Sequence, residues 1–153
     1  RAGTEAVHQI VALGAAAEMV SDFSAMETVR VLRDRLEAEI LAKIPGAVLN
    51  GTSDRSRRLP NTSSISFAGI NGETILAKLN DAGGGGGVCV STGSACNAET
   101  RTSSPVLQAM NVPYLTAMGA MRFSLGRYNT AEEVDFVLKI LPKIIEDLRE
   151  FSL

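Results

Sequence analysis

The stretch Ser91-Thr92-Gly93-Ser94-Ala95-Cys96 carries the most reactive group the chain offers. A cysteine among small side chains can reach a substrate and stand in water as a thiolate, the form that acts as a nucleophile. Free cysteines are usually buried and idle, but no large apolar residue surrounds Cys96 to bury it. The other cysteine, Cys89, lies between Val88 and Val90 in an expected strand and reads as structural.

A second candidate is Met121-Arg122-Phe123-Ser124-Leu125-Gly126-Arg127. Alternation predicts a strand with Arg122 and Ser124 on one face and Met121, Phe123 and Leu125 on the other. An arginine on a sheet face can grip a carboxylate through two parallel hydrogen bonds. A solvated or internally paired arginine is the commoner case, and Arg127 is read that way. The run Gly83 to Gly87 is a poor phosphate loop, since no Gly-Lys-Ser/Thr follows it and no Gly-x-Gly-x-x-Gly opens a helix; a flexible connection is expected. His8 falls in a helical stretch as a surface or core residue. Arg55, Arg57 and Arg58 read as a solvated loop, with a partner-docking surface as the alternative.

These residues need a frame. Ile10, Leu13, Ala17 and Val20 fall on one face of a first helix, and Val29, Leu32, Leu36, Ile40 and Ile44 on one face of a second. Asp22 to Ser24 marks a bend or cap between them, and Pro45-Gly46 stops the second. Ala47 to Leu49 is a short strand and Asn50 to Asn61 a polar loop. Ser63, Ile65 and Phe67 alternate with Ser64 and Ser66 as a half-buried strand. Asn71-Gly72 turns the chain into a short helix bearing Ile75, Leu76 and Leu79. Val88 and Val90 mark a brief strand, and Ser91 to Thr102 a mobile loop. Ser104-Pro105 starts a helix that ends near Asn111-Val112-Pro113. After the Phe123 strand, Thr130 and Glu133 form a capping box. It opens a helix striped by Val134, Val137, Leu138, Leu141, Ile145 and Leu148, with Pro142 as an expected kink. This order predicts a two-layer α/β domain, helices over a small, largely antiparallel sheet.

Arg1-Ala2-Gly3-Thr4-Glu5, Arg58-Leu59-Pro60-Asn61-Thr62, Ser91 to Cys96 and Arg122 to Arg127 occur in an order and at spacings that resemble the cysteine desulfurases. Ser104 to Leu107, followed by Val112-Pro113, resembles the selenocysteine lyase branch. The resemblance implies a homodimeric, fold-type-I pyridoxal phosphate enzyme that removes sulfur or selenium from cysteine or selenocysteine and leaves alanine. By position, Cys96 would take the chalcogen as a persulfide or perselenide and pass it to an acceptor protein. Arg122 would bind the substrate carboxylate, and Thr4 would reach across the dimer to the cofactor phosphate. In that family the cofactor-anchoring lysine and a ring-stacking histidine precede the Arg-x-Gly-Thr stretch. Residues 1–153 are therefore expected to be one C-terminal small domain, without the large cofactor-binding domain and with no cofactor bound to it alone. The glycine run departs from the family's sequence ahead of the active loop.

Composition excludes other classes. Apolar residues make up 45% and charged residues 21%, as in an ordinary globular domain. A formal net charge of -2 gives no basic surplus for nucleic acid. No apolar run approaches the roughly 20 residues of a membrane span. One histidine and two cysteines cannot build a four-ligand Cys/His zinc site in one chain. Two cysteines also make no secreted disulfide framework, so a cytoplasmic setting is expected, with a mitochondrial one also open. Two functions remain: part of a desulfurase or lyase, or a non-catalytic module that carries sulfur on Cys96 or binds a partner.

Overall fold

The computed structural model describes residues 2–82, 87–92 and 103–150. The elements run α1 (Val7–Met19), α2 (Ser24–Lys43), β1 (Ala47–Leu49), a 3-10 turn (Arg55–Arg57), β2 (Thr62–Phe67) and α3 (Gly72–Asp81). After these come β3 (Ser91–Thr92), α4 (Pro105–Ala109), α5 (Tyr114–Met118), β4 (Ala120–Ser124) and α6 (Ala131–Glu150). The four strands form one antiparallel sheet in the order β1-β2-β4-β3. The expected two-layer α/β architecture is therefore present. The segments around Ile65 and Phe123 lie side by side, with Ile65 opposite Met121 and Ser63 opposite Phe123.

The core lies between one sheet face and three helices. Leu32, Leu36 and Ile40 of α2, Ile75 and Leu79 of α3, and Val134, Val137, Leu138, Leu141 and Ile145 of α6 pack on Ile65, Phe67, Met121 and Phe123. Each helix supplies a stripe at helical spacing, so burial of apolar area drives the assembly. The helix ends follow local chemistry. Ser24 N–H donates to the Asp22 carboxylate at 2.9 Å. Gly46, at φ +74°, turns the chain out of α2 into β1. At α6 the capping box closes both ways: Glu133 N–H donates to Thr130 Oγ1 at 3.3 Å and Thr130 N–H to Glu133 Oε2 at 3.1 Å. The helix continues through Pro142.

Three expectations need correction. Helix α1 forms where periodicity places it, but none of its residues is buried; Val7, Ile10, Val11 and Leu13 all stand exposed. Its apolar side chains ring the helix instead of forming one stripe, so no single face is selected to dock. The strand expected at Val88 and Val90 is displaced to Ser91–Thr92, inside the stretch expected to be loop. The helix from Pro105 ends at Ala109, close to the expected stop, with Asn111 at φ 57°, but the chain then enters a second short helix, α5, that was not expected. Helices α4 and α5 bring Leu107 and Ala117 onto Ala120 at one end of the other sheet face.

Candidate functional site

The sheet face turned away from α2, α3 and α6 is polar because of register. Ser64 lies directly opposite Arg122 on one side, and Ser91 directly opposite it on the other. Thr62 opposite Ser124 and Ser66 opposite Ala120 continue the same face. Arg122 is exposed at its centre, while Met121 and Phe123 point into the core as the alternation predicts. Among the described residues, no hydrogen bond or salt bridge engages the Arg122 guanidinium. A fork-shaped cation held open on a rigid strand can bind a planar anion without first breaking an internal pair.

The hydroxyls around Arg122 differ in how their protons are used. Asn50 Nδ2 donates to Ser64 Oγ at 3.2 Å and to Ser66 Oγ at 2.9 Å. Ser66 Oγ donates back to Asn50 Oδ1 at 3.3 Å, and Ser91 Oγ donates to the Thr92 carbonyl at 3.0 Å. Asn50 N–H is bound to the Ser64 carbonyl at 2.8 Å, which fixes this side chain over β2.

Strand β2 is secured from behind by buried charge. Arg58 donates to both oxygens of Glu37, Nη1 to Oε1 at 2.7 Å and Nη2 to Oε2 at 2.6 Å. Ser63 Oγ also donates to Glu37 Oε2, at 2.6 Å. The side chains of Arg58 and Glu37 are only 9% and 4% exposed. Burial pushes the Glu37 carboxyl up, but the Arg58 and Ser63 hydrogen bonds outweigh it and hold the group below the usual carboxylate range. Arg55 and Arg30 both reach Asp34 Oδ2, at 3.2 and 3.3 Å. Arg33, fully buried beside them, is 3.0 Å from Asp34 Oδ1, yet its three nitrogens make no hydrogen bond among the described residues. The solvated-loop reading thus fails for Arg58 and holds for the exposed Arg57. The missed signal was Glu37, one helical turn from Arg33 and on the same side of α2 as Ile40 and Ile44.

The two cysteines separate. Cys89 is exposed and free, which corrects its reading as a structural strand residue. Val88 and Val90 pack against the core and turn Cys89 outward. It stands on a pocket of about 490 Å³ with Leu36, Phe123, Leu125 and Val137. Cys96 and the rest of 93–102 lie outside the described residues, as do Gly83 to Gly86. Gly87 is no free hinge: a Cβ there would sit 1.9 Å from the Asn80 carbonyl oxygen. Thr4 is exposed ahead of α1, and no described hydrogen bond joins it to Arg122. His8 is exposed on α1, and Arg127 donates to the Met19 carbonyl at 3.3 Å.

Residues 1–137 match the Aminotransferase class-V family. The chain belongs to that family. Among its relatives, a cysteine desulfurase of a Nostoc species is 47% identical over 154 residues, a span of 99% of this chain and 37% of that protein. The cysteine desulfurase NifS of Azotobacter vinelandii is 46% identical, again over 99% of this chain and 37% of its own length. A solved NifS-like protein superposes with TM-score 0.77 at 33% identity, covering 97% of this chain and 36% of its own. The chain thus spans little more than a third of the length of these class-V relatives.

The class-V aminotransferase family implies pyridoxal phosphate, an aldehyde cofactor that an enclosed lysine anchors. All four lysines here, Lys43, Lys78, Lys139 and Lys143, are exposed. Lys43 is also paired with Glu39 at 2.7 Å. None of the four is enclosed as such an anchor would be. The chain's own residues do not make a complete seat for the group. Among the described residues no cluster of His, Cys, Asp and Glu could hold a metal ion, and no helix is long and apolar enough to cross a membrane.

Proposed function

We propose that this chain is the C-terminal small domain of a pyridoxal-phosphate-dependent cysteine desulfurase, or of its selenocysteine lyase branch. The observation that carries the reading is Arg122, a guanidinium without a partner among the described residues, at the centre of a polar sheet face in a chain of this family. In this role Arg122 holds the α-carboxylate of the amino acid. Cys96, four residues beyond Thr92 in sequence, takes the chalcogen as a persulfide or perselenide and passes it to an acceptor protein. Thr4 contributes its hydroxyl to the cofactor phosphate of a partner subunit in a homodimer. When bound, the cofactor supplies the electron sink that loosens the carbon–sulfur bond. Its anchoring lysine is contributed from outside residues 1–153, and a cytoplasmic or mitochondrial setting would suit such a thiol.

The exposed sheet face favours this over a non-catalytic sulfur carrier, because a carrier needs Cys96 but has no use for an open carboxylate fork. The test is turnover. A full-length protein containing this chain, given L-cysteine and a dithiol that reduces the Cys96 persulfide, should release sulfide and alanine in stoichiometric amounts. Residues 1–153 alone, given pyridoxal phosphate, should release neither. Sulfide release by the isolated chain, or none by the full-length protein with either cysteine or selenocysteine, would reject the assignment.

A further inference from the structure

We propose that Ser64 is a second carboxylate-holding residue beside Arg122, donating its hydroxyl proton to a lone pair that the carboxylate keeps after the arginine fork has engaged it. The inference rests on the reading of Arg122 as the carboxylate site and adds a specificity residue to it. Ser64 is the direct cross-strand partner of Arg122, so the two side chains leave the same sheet face. Such partners stand about 4.5–5.5 Å apart at Cβ, close enough to share one ligand. Ser91 is the equivalent partner on the other side, but its proton is spent on the Thr92 carbonyl.

The decisive detail is the direction of the Asn50 hydrogen bond. Nδ2 of an amide can only donate, so Ser64 Oγ acts as the acceptor at 3.2 Å. A hydroxyl that accepts still has one proton to give. Ser66 gives its proton back to Asn50 Oδ1, whereas Ser64 gives its proton to no acceptor among the described residues. Ser64 is half-buried, so its hydroxyl proton stays available to an acceptor that arrives on this face. An anion gripped by Arg122 supplies one. A carboxylate fits better than a monodentate anion, because its two oxygens accept from the fork and retain lone pairs for Ser64. Asn50 is then a positioning residue, since its amide turns the Ser64 proton away from itself.

The experiment uses the full-length, cofactor-loaded protein with Ser64→Ala, Ser64→Thr and Arg122→Ala, singly and with Ser64→Ala combined with Arg122→Ala. Ser64→Ala should raise KM for L-cysteine about tenfold, the scale of one hydrogen bond to a charged group, with kcat little changed. The inhibition constant of L-alanine should rise by the same factor, and that of ethylamine, which lacks the carboxylate, should not move. Ser64→Thr keeps the hydroxyl and should bind L-alanine as the native protein does. Once Arg122 is gone, adding Ser64→Ala should cost little more, because both residues serve one group. An unchanged L-alanine constant in Ser64→Ala, or an equal loss for ethylamine, overturns the proposal. If Arg122→Ala also leaves L-alanine binding intact, the carboxylate reading itself has failed; if only Ser64→Ala is silent, Arg122 stands and Ser64 does not.

Discussion

Arg58→Ala should destabilise the fold by about 3–5 kcal/mol, the cost of leaving one member of a buried ion pair alone. The figure applies here because Arg58 contacts both Glu37 oxygens and Glu37 is nearly sealed from water. Removing the guanidinium leaves a buried carboxylate whose one remaining hydrogen bond among the described residues comes from the Ser63 hydroxyl, with Arg33 nearby as a charge that makes no hydrogen bond to it. The neighbouring Arg57→Ala is the control: Arg57 is exposed, and surface changes of this kind usually stay within about 0.5 kcal/mol. Urea unfolding should show a lower midpoint for Arg58→Ala at unchanged slope. Replacing Arg58 and Glu37 together by methionine and leucine should recover most of the loss, because apolar pairs of similar volume often match buried ion pairs. Equal midpoints for Arg57→Ala and Arg58→Ala would show that the Glu37 pair contributes nothing.

The same pair gives a pH dependence whose sign is fixed. The Glu37 carboxyl is held below its ordinary value of 4.5, so its contribution is complete above that value and is lost as pH falls through the lower folded one. The acid limb of stability should therefore flatten in a Glu37→Gln protein.

Arg122→Ala and Arg122→Lys in the full-length protein should each raise KM for L-cysteine about ten- to a hundredfold, matching the roughly 1.5–3 kcal/mol of a charge-assisted contact. The loss should fall on KM, because a carboxylate is held alike in the ground and transition states. Lysine should not rescue it: an ammonium keeps the charge but has no planar fork. Melting temperature should stay near that of the native protein, since Arg122 is exposed while Met121 and Phe123 carry the packing of β4. A lowered melting temperature with normal KM would make Arg122 a structural residue.

Periodicity was a good guide wherever one face of an element meets the core. Val29 to Ile44, Ile65 with Phe67, Met121 with Phe123, and Val134 to Ile145 were legible for that reason. So was the Thr130–Glu133 capping box, which is local chemistry. It was a poor guide at α1, where apolar residues ring the helix and no stripe names a partner. Cys89 was misplaced because two flanking valines suggest a strand whether they lie within one or before one. The Arg58–Glu37 pair was invisible because its partners are 21 residues apart and each is ordinary in its own segment. Arg122 could be assigned to a face from alternation alone. Its setting between Ser64 and Ser91 required the register of three strands, which no single strand contains.

The most direct test of the account is the site of sulfur capture. The full-length, cofactor-loaded protein is given L-cysteine, blocked with an alkylating agent and digested, and the masses on Cys89 and Cys96 are read from fragments of the peptide that carries both. Cys89 is an internal control, since it is an exposed thiol in the same molecule. The account predicts one added sulfur on Cys96, none on Cys89, and loss of transfer to an acceptor thiol in Cys96→Ser. Added sulfur on Cys89 alone, or undiminished transfer in Cys96→Ser, would contradict it.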